Sequence, residues 1–123
     1  MKINDPQVLA EVGAAFARYE RALKEQDVAT LDELFWASPL TLRYGIRENL
    51  YGHAEIAAYR SGGPGYDIAR TDRRVVVTTY GTDFATTNLE FERGGRIGRQ
   101  SQTWVRMPEG WRIVAAHVSY LQP

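Results

Sequence analysis

A tyrosine and an arginine, Tyr19 and Arg43, are the residues of this sequence best suited to small-molecule chemistry. Tyr19 falls in a predicted N-terminal amphipathic helix and Arg43 in the first predicted strand. Arginine stays cationic at ordinary pH and offers a planar fork of donors that matches a carboxylate. A phenol can donate or accept one proton at short range. If both side chains face an internal cavity, they predict a site for a small anion and favour carboxylate chemistry over nucleic-acid binding.

Each of these two residues also has a purely structural interpretation. A tyrosine on an amphipathic helix commonly belongs to the core, and Arg43 could simply pair with Glu48. Asp83 lies in a predicted hairpin turn, where aspartate forms local hydrogen bonds, so no catalytic role is expected for it. The glycine-rich residues 62–65 are not followed by Lys-Ser or Lys-Thr, which argues against a nucleotide-binding loop and leaves a mobile flap as the alternative.

Length and composition limit the function classes. The 123 residues, 44% of them hydrophobic, can bury one core, so a single domain is expected over residues 1–123. Fifteen basic and fifteen acidic side chains cancel and are scattered, which argues against binding to nucleic acid or a membrane surface. The lack of cysteine and the presence of only two histidines argue against a disulfide or a metal site. Without a signal-peptide pattern or an apolar run of ~20 residues, the cytoplasm is the expected location.

Two helices are expected before any strand. Asn4 or Asp5 can cap a helix opened by Pro6, because proline at the first helical position loses no useful hydrogen bond. Its apolar face carries Val8, Val12, Phe16, Tyr19 and Leu23. Asp27 caps a second, short helix, which Ser38-Pro39 is expected to end. That helix carries Val28, Leu31, Leu34 and Phe35.

The rest of the chain is predicted to be mostly strands. A strand over residues 40–45 and a brief return at 50–51 precede a short helix over 54–60. Four long strands follow at 67–80, 84–93, 96–107 and 111–120, with turn residues between them. Helices followed by a meander predict an α+β domain with helices on one face of a curved antiparallel sheet. In places the last strands carry apolar side chains on both faces of the sheet. A second copy of the protein is therefore expected to cover the face away from the helices, which would make a homodimer.

This order of elements resembles the cone-shaped fold of the nuclear transport factor two-like superfamily, which includes SnoaL-like proteins. The resemblance implies a curved antiparallel sheet with the N-terminal helices on its concave face. Within the superfamily the sequence is similar to the DUF3225 family over nearly its whole length. The segments that carry this similarity are 14–20, 34–36, 43–45, 48–52, 79–86, 98–105 and 110–119.

The similarity implies a function as well as a fold. The DUF3225 family is associated with oxalurate catabolism and, in s-triazine degraders, with decarboxylation of 1,3-dicarboxyurea to urea-1-carboxylate, also called allophanate. Its decarboxylase members depend on a helical tyrosine and a strand arginine, which match Tyr19 and Arg43. The resemblance thus implies a carboxy-lyase that needs no metal or organic cofactor. A dimer or dimer of dimers and an amidohydrolase partner are also expected. Members from both pathways share the pattern, so the substrate stays open between them.

The chemistry assigns a task to each residue. Loss of carbon dioxide from an N-carboxylated urea leaves negative charge on nitrogen, so the catalyst must hold the substrate and supply a proton there. Arg43 would bind a carboxylate and Tyr19 would donate the proton, since a phenol carries a proton that it can give to an acceptor. An apolar wall that excludes water would strengthen both interactions. The residues expected to form this wall are Phe16, Trp36 and Trp104.

A doubly charged substrate requires a second polar anchor. The last two strands offer Arg99, Gln100, Gln102, His117 and Ser119 as candidates. His117 is the preferred one, and if it faces the cavity, Ala115 and Ser119 face it too. The alternative for His117 is a histidine satisfied within the core.

Two other classes of function compete with a decarboxylase. The protein could be an ancillary or ligand-binding subunit that partners an amidohydrolase and holds an anionic intermediate. It could also be an isomerase that transfers a proton on a larger hydrophobic ligand. The isomerase requires an inward-facing carboxylate as base, and the sequence offers no persuasive one.

Overall fold

A computed structural model describes residues 1–62 and 69–123. Helix α1 spans Pro6–Glu25, and Asp5 caps it by accepting hydrogen bonds from the backbone N–H groups of Gln7 and Val8. It ends at Gln26, which takes a left-handed conformation with φ 54°. None of the helices in the described part of the chain combines the length and apolar character that a membrane span requires.

Helix α2 is shorter than the sequence predicts. It spans Val28–Leu34, with Asp27 as its cap, and Phe35 already has an extended backbone. Phe35 forms an isolated parallel bridge with Ile113 and is almost fully buried. Tertiary packing against the sheet therefore ends the helix before Pro39 can.

Six strands and a third helix complete the fold, in the predicted order. After β1 (Leu42–Tyr44), β2 (Asn49–Tyr51) and α3 (His53–Gly62) come β3 (Thr71–Tyr80), β4 (Phe84–Arg93), β5 (Arg96–Met107) and β6 (Gly110–Tyr120). They form one curved open sheet in the order β2-β1-β6-β5-β4-β3. The predicted α+β class is confirmed. The predicted flap, except for Gly62 at the end of α3, and the predicted start of the first long strand at 67 lie outside the described residues.

The first strand runs in a direction that the sequence does not predict. β1 pairs in parallel with β6, which places Arg43 beside Ala116. The other pairs are antiparallel, as expected. A hairpin forces its strands to be antiparallel, but a long crossover leaves the direction open. The pairing matters for the site, because it fixes Arg43 next to the inner face of β6.

The core fills one end of the sheet's concave face. The apolar face of α1 packs there against buried residues of the central strands, among them Trp104, Ile113 and Ala116. Trp104 has no exposed surface, and its indole Nε1 donates to the Thr87 hydroxyl at 3.0 Å. The other end of the same face is not filled in this way, and the candidate site lies there.

Candidate functional site

A cavity of about 580 Å³ lies on the concave side of the sheet, with α1 and α3 contributing to its walls. Tyr19 of α1 and Arg43 of β1 both line it. Apolar side chains provide much of the remaining wall, including Ile56 of α3 and Phe91 of β4. The lining also contains a large number of guanidinium groups. These belong to Arg43, Arg47, Arg60, Arg70, Arg93 and Arg96.

Tyr19 is held at the wall of the cavity by contacts on two sides. Only 4% of the residue is exposed, and its ring meets Phe35 edge-on with centroids 6.2 Å apart. Nη2 of Arg60 donates to the phenolic oxygen at 3.3 Å. A guanidinium can only donate, so the phenol accepts in this bond and keeps its own proton for another acceptor. This arrangement suits a proton donor.

Arg43 is paired with Glu48 inside the cavity. Its Nη1 lies 2.9 Å from Oε1 of Glu48, and both side chains are 18% exposed. Gly45 makes room for this carboxylate, because a Cβ there would lie 1.7 Å from Glu48 Oε1. The structural interpretation of Arg43 is therefore correct, and it is compatible with binding. The fork already holds one carboxylate through one nitrogen, and among the described contacts Nη2 and Nε have no partner.

A buried ion pair that sequence reasoning missed supports another wall. Glu20 of α1 accepts hydrogen bonds from Nη2 of Arg70 and, at 3.2 Å, from Nε2 of Gln100. The Arg70 side chain is only 5% exposed and lies over the Phe91 ring at 5.1 Å. Burial raises the pKa of the Glu20 carboxyl, against the opposing effect of Arg70. The alternation of side chains along β5 could have placed Gln100 on the inner face of the sheet. No local sequence pattern predicts that Glu20 and Arg70 pair.

The expected apolar wall is a different set of residues. Phe16 and Trp104 belong to the core and do not line the cavity. Trp36 also lies outside it, with its backbone N–H donating to the carbonyl of Ile113 at 2.9 Å. The prediction that these three form the wall is wrong, because α1 and the sheet close around Phe16 and Trp104, and Trp36, which is only partly buried, lies outside the lining. The apolar lining consists instead of Leu23, Ile46, Leu50, Ile56, Phe91 and Val118.

Two of the anchors expected on the last strands, among them the preferred His117, are also displaced from the cavity. Gln102 is buried beneath it, where Oε1 accepts from the Thr87 hydroxyl at 3.0 Å. His117 is exposed on the opposite face of the sheet, with its ring 6.0 Å from that of Tyr44. Gln100, another of the candidates, does line the cavity.

A β-bulge explains the orientation of His117. Trp104 pairs with Ile113, but Thr103 pairs with Ala115, so β6 contains one extra residue at 114. Simple alternation from Ile113 would turn His117 toward the cavity. The extra residue reverses the faces beyond it, and Val118 and Tyr120 line the cavity instead. The inward orientation predicted for His117 is therefore wrong.

The described lining of the site combines arginine, tyrosine and amide groups with the carboxylate of Glu48, and it offers no ligand set for a metal. Among residues 1–62 and 69–123, no three histidine, aspartate or glutamate side chains come together as metal ligands. What the arrangement offers is an anion fork at Arg43 and a phenolic proton at Tyr19, in one partly apolar enclosure. Groups of this kind are suited to binding a small carboxylate and to donating a proton.

The comparison with known proteins gives the following matches. A family model described as AtzH-like matches residues 1–123. A protein of unknown function from the DUF3225 family of Pectobacterium atrosepticum is 57% identical, with TM-score 0.94 and coverage of 98% of this chain and 95% of that chain. A cystatin-like fold protein from Burkholderia xenovorans is 48% identical, with TM-score 0.93 and coverage of 100% and 99%. A nuclear transport factor 2-like superfamily protein from Salmonella enterica is 25% identical, with TM-score 0.77 and coverage of 96% and 94%. No curated protein gives a significant match.

Proposed function

This chain belongs to the AtzH-like family, and we propose that it is a cofactor-independent carboxy-lyase acting on a small N-carboxylated urea or a related ureido acid. The observation that carries the proposal is that Tyr19 and Arg43 line the same cavity. The expected resemblance to DUF3225 and to the nuclear transport factor 2-like superfamily is confirmed, and it agrees with a fold that processes small molecules.

The proposed substrate is a dianion such as 1,3-dicarboxyurea, converted to urea-1-carboxylate in oxalurate or s-triazine nitrogen catabolism. Six arginines line the cavity, whereas Glu48 is the one carboxylate among the described lining residues. This excess of positive charge supports a substrate with more than one negative charge. It also argues against the isomerase alternative, because a hydrophobic ligand would not compensate Arg93 and Arg96, for which the described residues offer no carboxylate partner.

In the proposed reaction Arg43 holds the substrate by a carboxylate, as it already holds that of Glu48. The bond between nitrogen and the departing carboxyl carbon breaks, and its electron pair stays on nitrogen. That nitrogen takes the proton of Tyr19 as carbon dioxide leaves. The resulting phenolate lies against the guanidinium of Arg60 and recovers a proton from water before the next turnover. The sum is one substrate and one proton converted to urea-1-carboxylate and carbon dioxide.

The direct test is turnover measured above the spontaneous reaction. We would follow ¹³C-carboxylate-labelled dicarboxyurea by NMR and compare the rate of label release with and without the purified protein. A protein-dependent rate supports the lyase. A rate equal to that of buffer alone contradicts it, and co-elution with an amidohydrolase would then favour the ancillary-subunit alternative.

Arg60 is expected to act through Tyr19. Arg60→Met should lower kcat about 10- to 150-fold and change KM by less than about threefold, because a charged hydrogen bond of roughly 1.5–3 kcal/mol to the phenolate is lost. Arg60→Lys should recover part of the rate. Arg18→Met is the matched control, since Arg18 adjoins Tyr19 but pairs with Glu33 on the helix surface. A raised KM with unchanged kcat would make Arg60 a substrate-binding residue instead.

We also propose that the outer face of the sheet forms a homodimer. Phe84 and Val105 lie opposite each other on that face, and Phe84 is 41% exposed next to Tyr80. Light scattering after size exclusion should give twice the 13.9 kDa of one chain. Val105→Glu should shift the protein to monomer, whereas Val28→Glu, at the exposed start of α2, should not. A monomeric wild type, or a dimeric Val105→Glu, contradicts the proposal.

A further inference from the structure

Two arginines face each other at the end of the β4–β5 hairpin. Arg93 and Arg96 are directly opposite across the turn formed by Gly94 and Gly95, and both line the cavity. Like charges in this position destabilise a hairpin, by up to about 1 kcal/mol. A pair that weakens its own hairpin and faces a cavity suggests a role other than folding.

Neither guanidinium has a carboxylate partner in the described part of the chain. Arg93 lies over the Phe91 ring at 5.7 Å and Arg96 over the Tyr120 ring at 4.1 Å. Nε of Arg93 is buried and has no hydrogen-bond partner among the described residues. Two other lining arginines differ from this pair, because Arg43 is neutralised by Glu48 and Arg70 by Glu20.

The pair belongs to a solvent-exposed part of the cavity lining, at a distance along the strands from Arg43. Arg96 is exposed. Arg43 on β1 is beside Ala116 of β6, and Ala116 is in turn opposite Gln102 of β5. Arg96 lies six residues before Gln102 on that strand. At ~3.3 Å per residue this is about 20 Å along the strands. The backbone positions of this pair and of Arg43 therefore belong to different parts of the cavity lining.

We propose that Arg93 and Arg96 form a capture site for small carboxylate anions at the mouth of the cavity, which steers them inward to Arg43. The inference rests on the proposed function, since it assigns this role for the same substrate. The aromatic rings under the two guanidinium groups hold them in place while leaving their donors available. A cleft lined with one sign of charge raises the association rate of an opposite charge, by about 10- to 1,000-fold in known cases.

The kinetic test compares two double variants that remove the same charge. Arg93→Met/Arg96→Met should lower kcat/KM for dicarboxyurea at least tenfold at about 0.01 M ionic strength, with kcat unchanged within about twofold. The loss should shrink at about 1 M salt, where charges are screened. Arg18→Met/Arg21→Met, on the outer surface of α1, should keep the wild-type value. An equal loss in both variants, or one that salt does not reduce, overturns the proposal.

A binding test does not depend on turnover. The Nε–Hε NMR signals of Arg93 and Arg96, assigned with the single methionine variants, should shift when malonate is added to the wild type. Acetate should bind more weakly, and the Arg93→Met/Arg96→Met variant should bind malonate at least tenfold more weakly than the Arg18→Met/Arg21→Met control. Equal malonate affinities in these two variants overturn the capture site. If dicarboxyurea is not turned over, the proposed lyase fails, while this titration still decides whether the anion site exists.

Discussion

Replacing Tyr19 by phenylalanine is expected to lower kcat by about 10²- to 10⁴-fold, the usual contribution of a positioned general acid. The change removes one oxygen and leaves the buried ring against Phe35. The lost hydrogen bond with Arg60 should reduce the free energy of unfolding by only about 1 kcal/mol. Steady-state kinetics and thermal unfolding of the same preparation measure the two effects.

Tyr44→Phe is the matched control for this variant. Its hydroxyl bonds to that of Tyr51 at 3.2 Å on the outer face of the sheet, one residue from Arg43. It should keep the wild-type kcat. If Tyr19→Phe also keeps it, the phenol has no part in the reaction. If Tyr19→Phe unfolds, its hydroxyl is structural and the proposed mechanism loses its proton donor.

Replacing Arg43 by methionine is expected to have the second large effect, a loss in kcat/KM of about 30-fold to several thousand-fold. Removing one member of a partly buried charge pair costs roughly 2–5 kcal/mol. Two causes add here. The substrate loses its anion fork, and Glu48 remains in the cavity as an unpaired carboxylate that repels it. Arg43→Lys should fall between methionine and wild type, because it keeps the charge but not the planar fork.

The double variant Arg43→Met/Glu48→Gln separates the two causes. If the repulsion by Glu48 dominates, the second change should restore much of kcat/KM. If the fork itself matters most, as we expect, recovery should be less than about tenfold, which corresponds to 1.4 kcal/mol. Full recovery would show that Arg43 serves only to neutralise Glu48.

The hairpins of the meander could be predicted closely because their signals are local. β4 and β5 have the bounds that the sequence predicts, and Gly94 and Gly95 between them have φ of 57° and 76°. Most other residue types are strained in such a turn, so the glycines mark it in the sequence. The cap at Asp5 and the proline at the start of α1 could also be predicted from the local sequence. Local chemistry decided these elements.

The walls of the cavity could not be predicted because they depend on registers and distant pairings. One extra residue in β6 reversed the orientation of His117, and nothing local in the sequence marks that bulge. The pairing of Glu20 with Arg70 and Gln100 joins three separate elements. Tyr19 and Arg43 were identified through the family resemblance, whereas Arg60 beside the phenol emerged only from the structure.

The parallel pairing of β1 with β6 sets the moment at which the site forms. Arg43 can pair with Leu50 of β2 early, but β1 can join the rest of the sheet only when Ala116 of β6 has been made. At a synthesis rate of about 5–20 residues per second, the arginine waits several seconds on the ribosome while the helix carrying the phenol can already form. A nascent chain, or a protein cleaved so that β6 is lost, would therefore keep its helical phenol but have no fixed place for the guanidinium beside it.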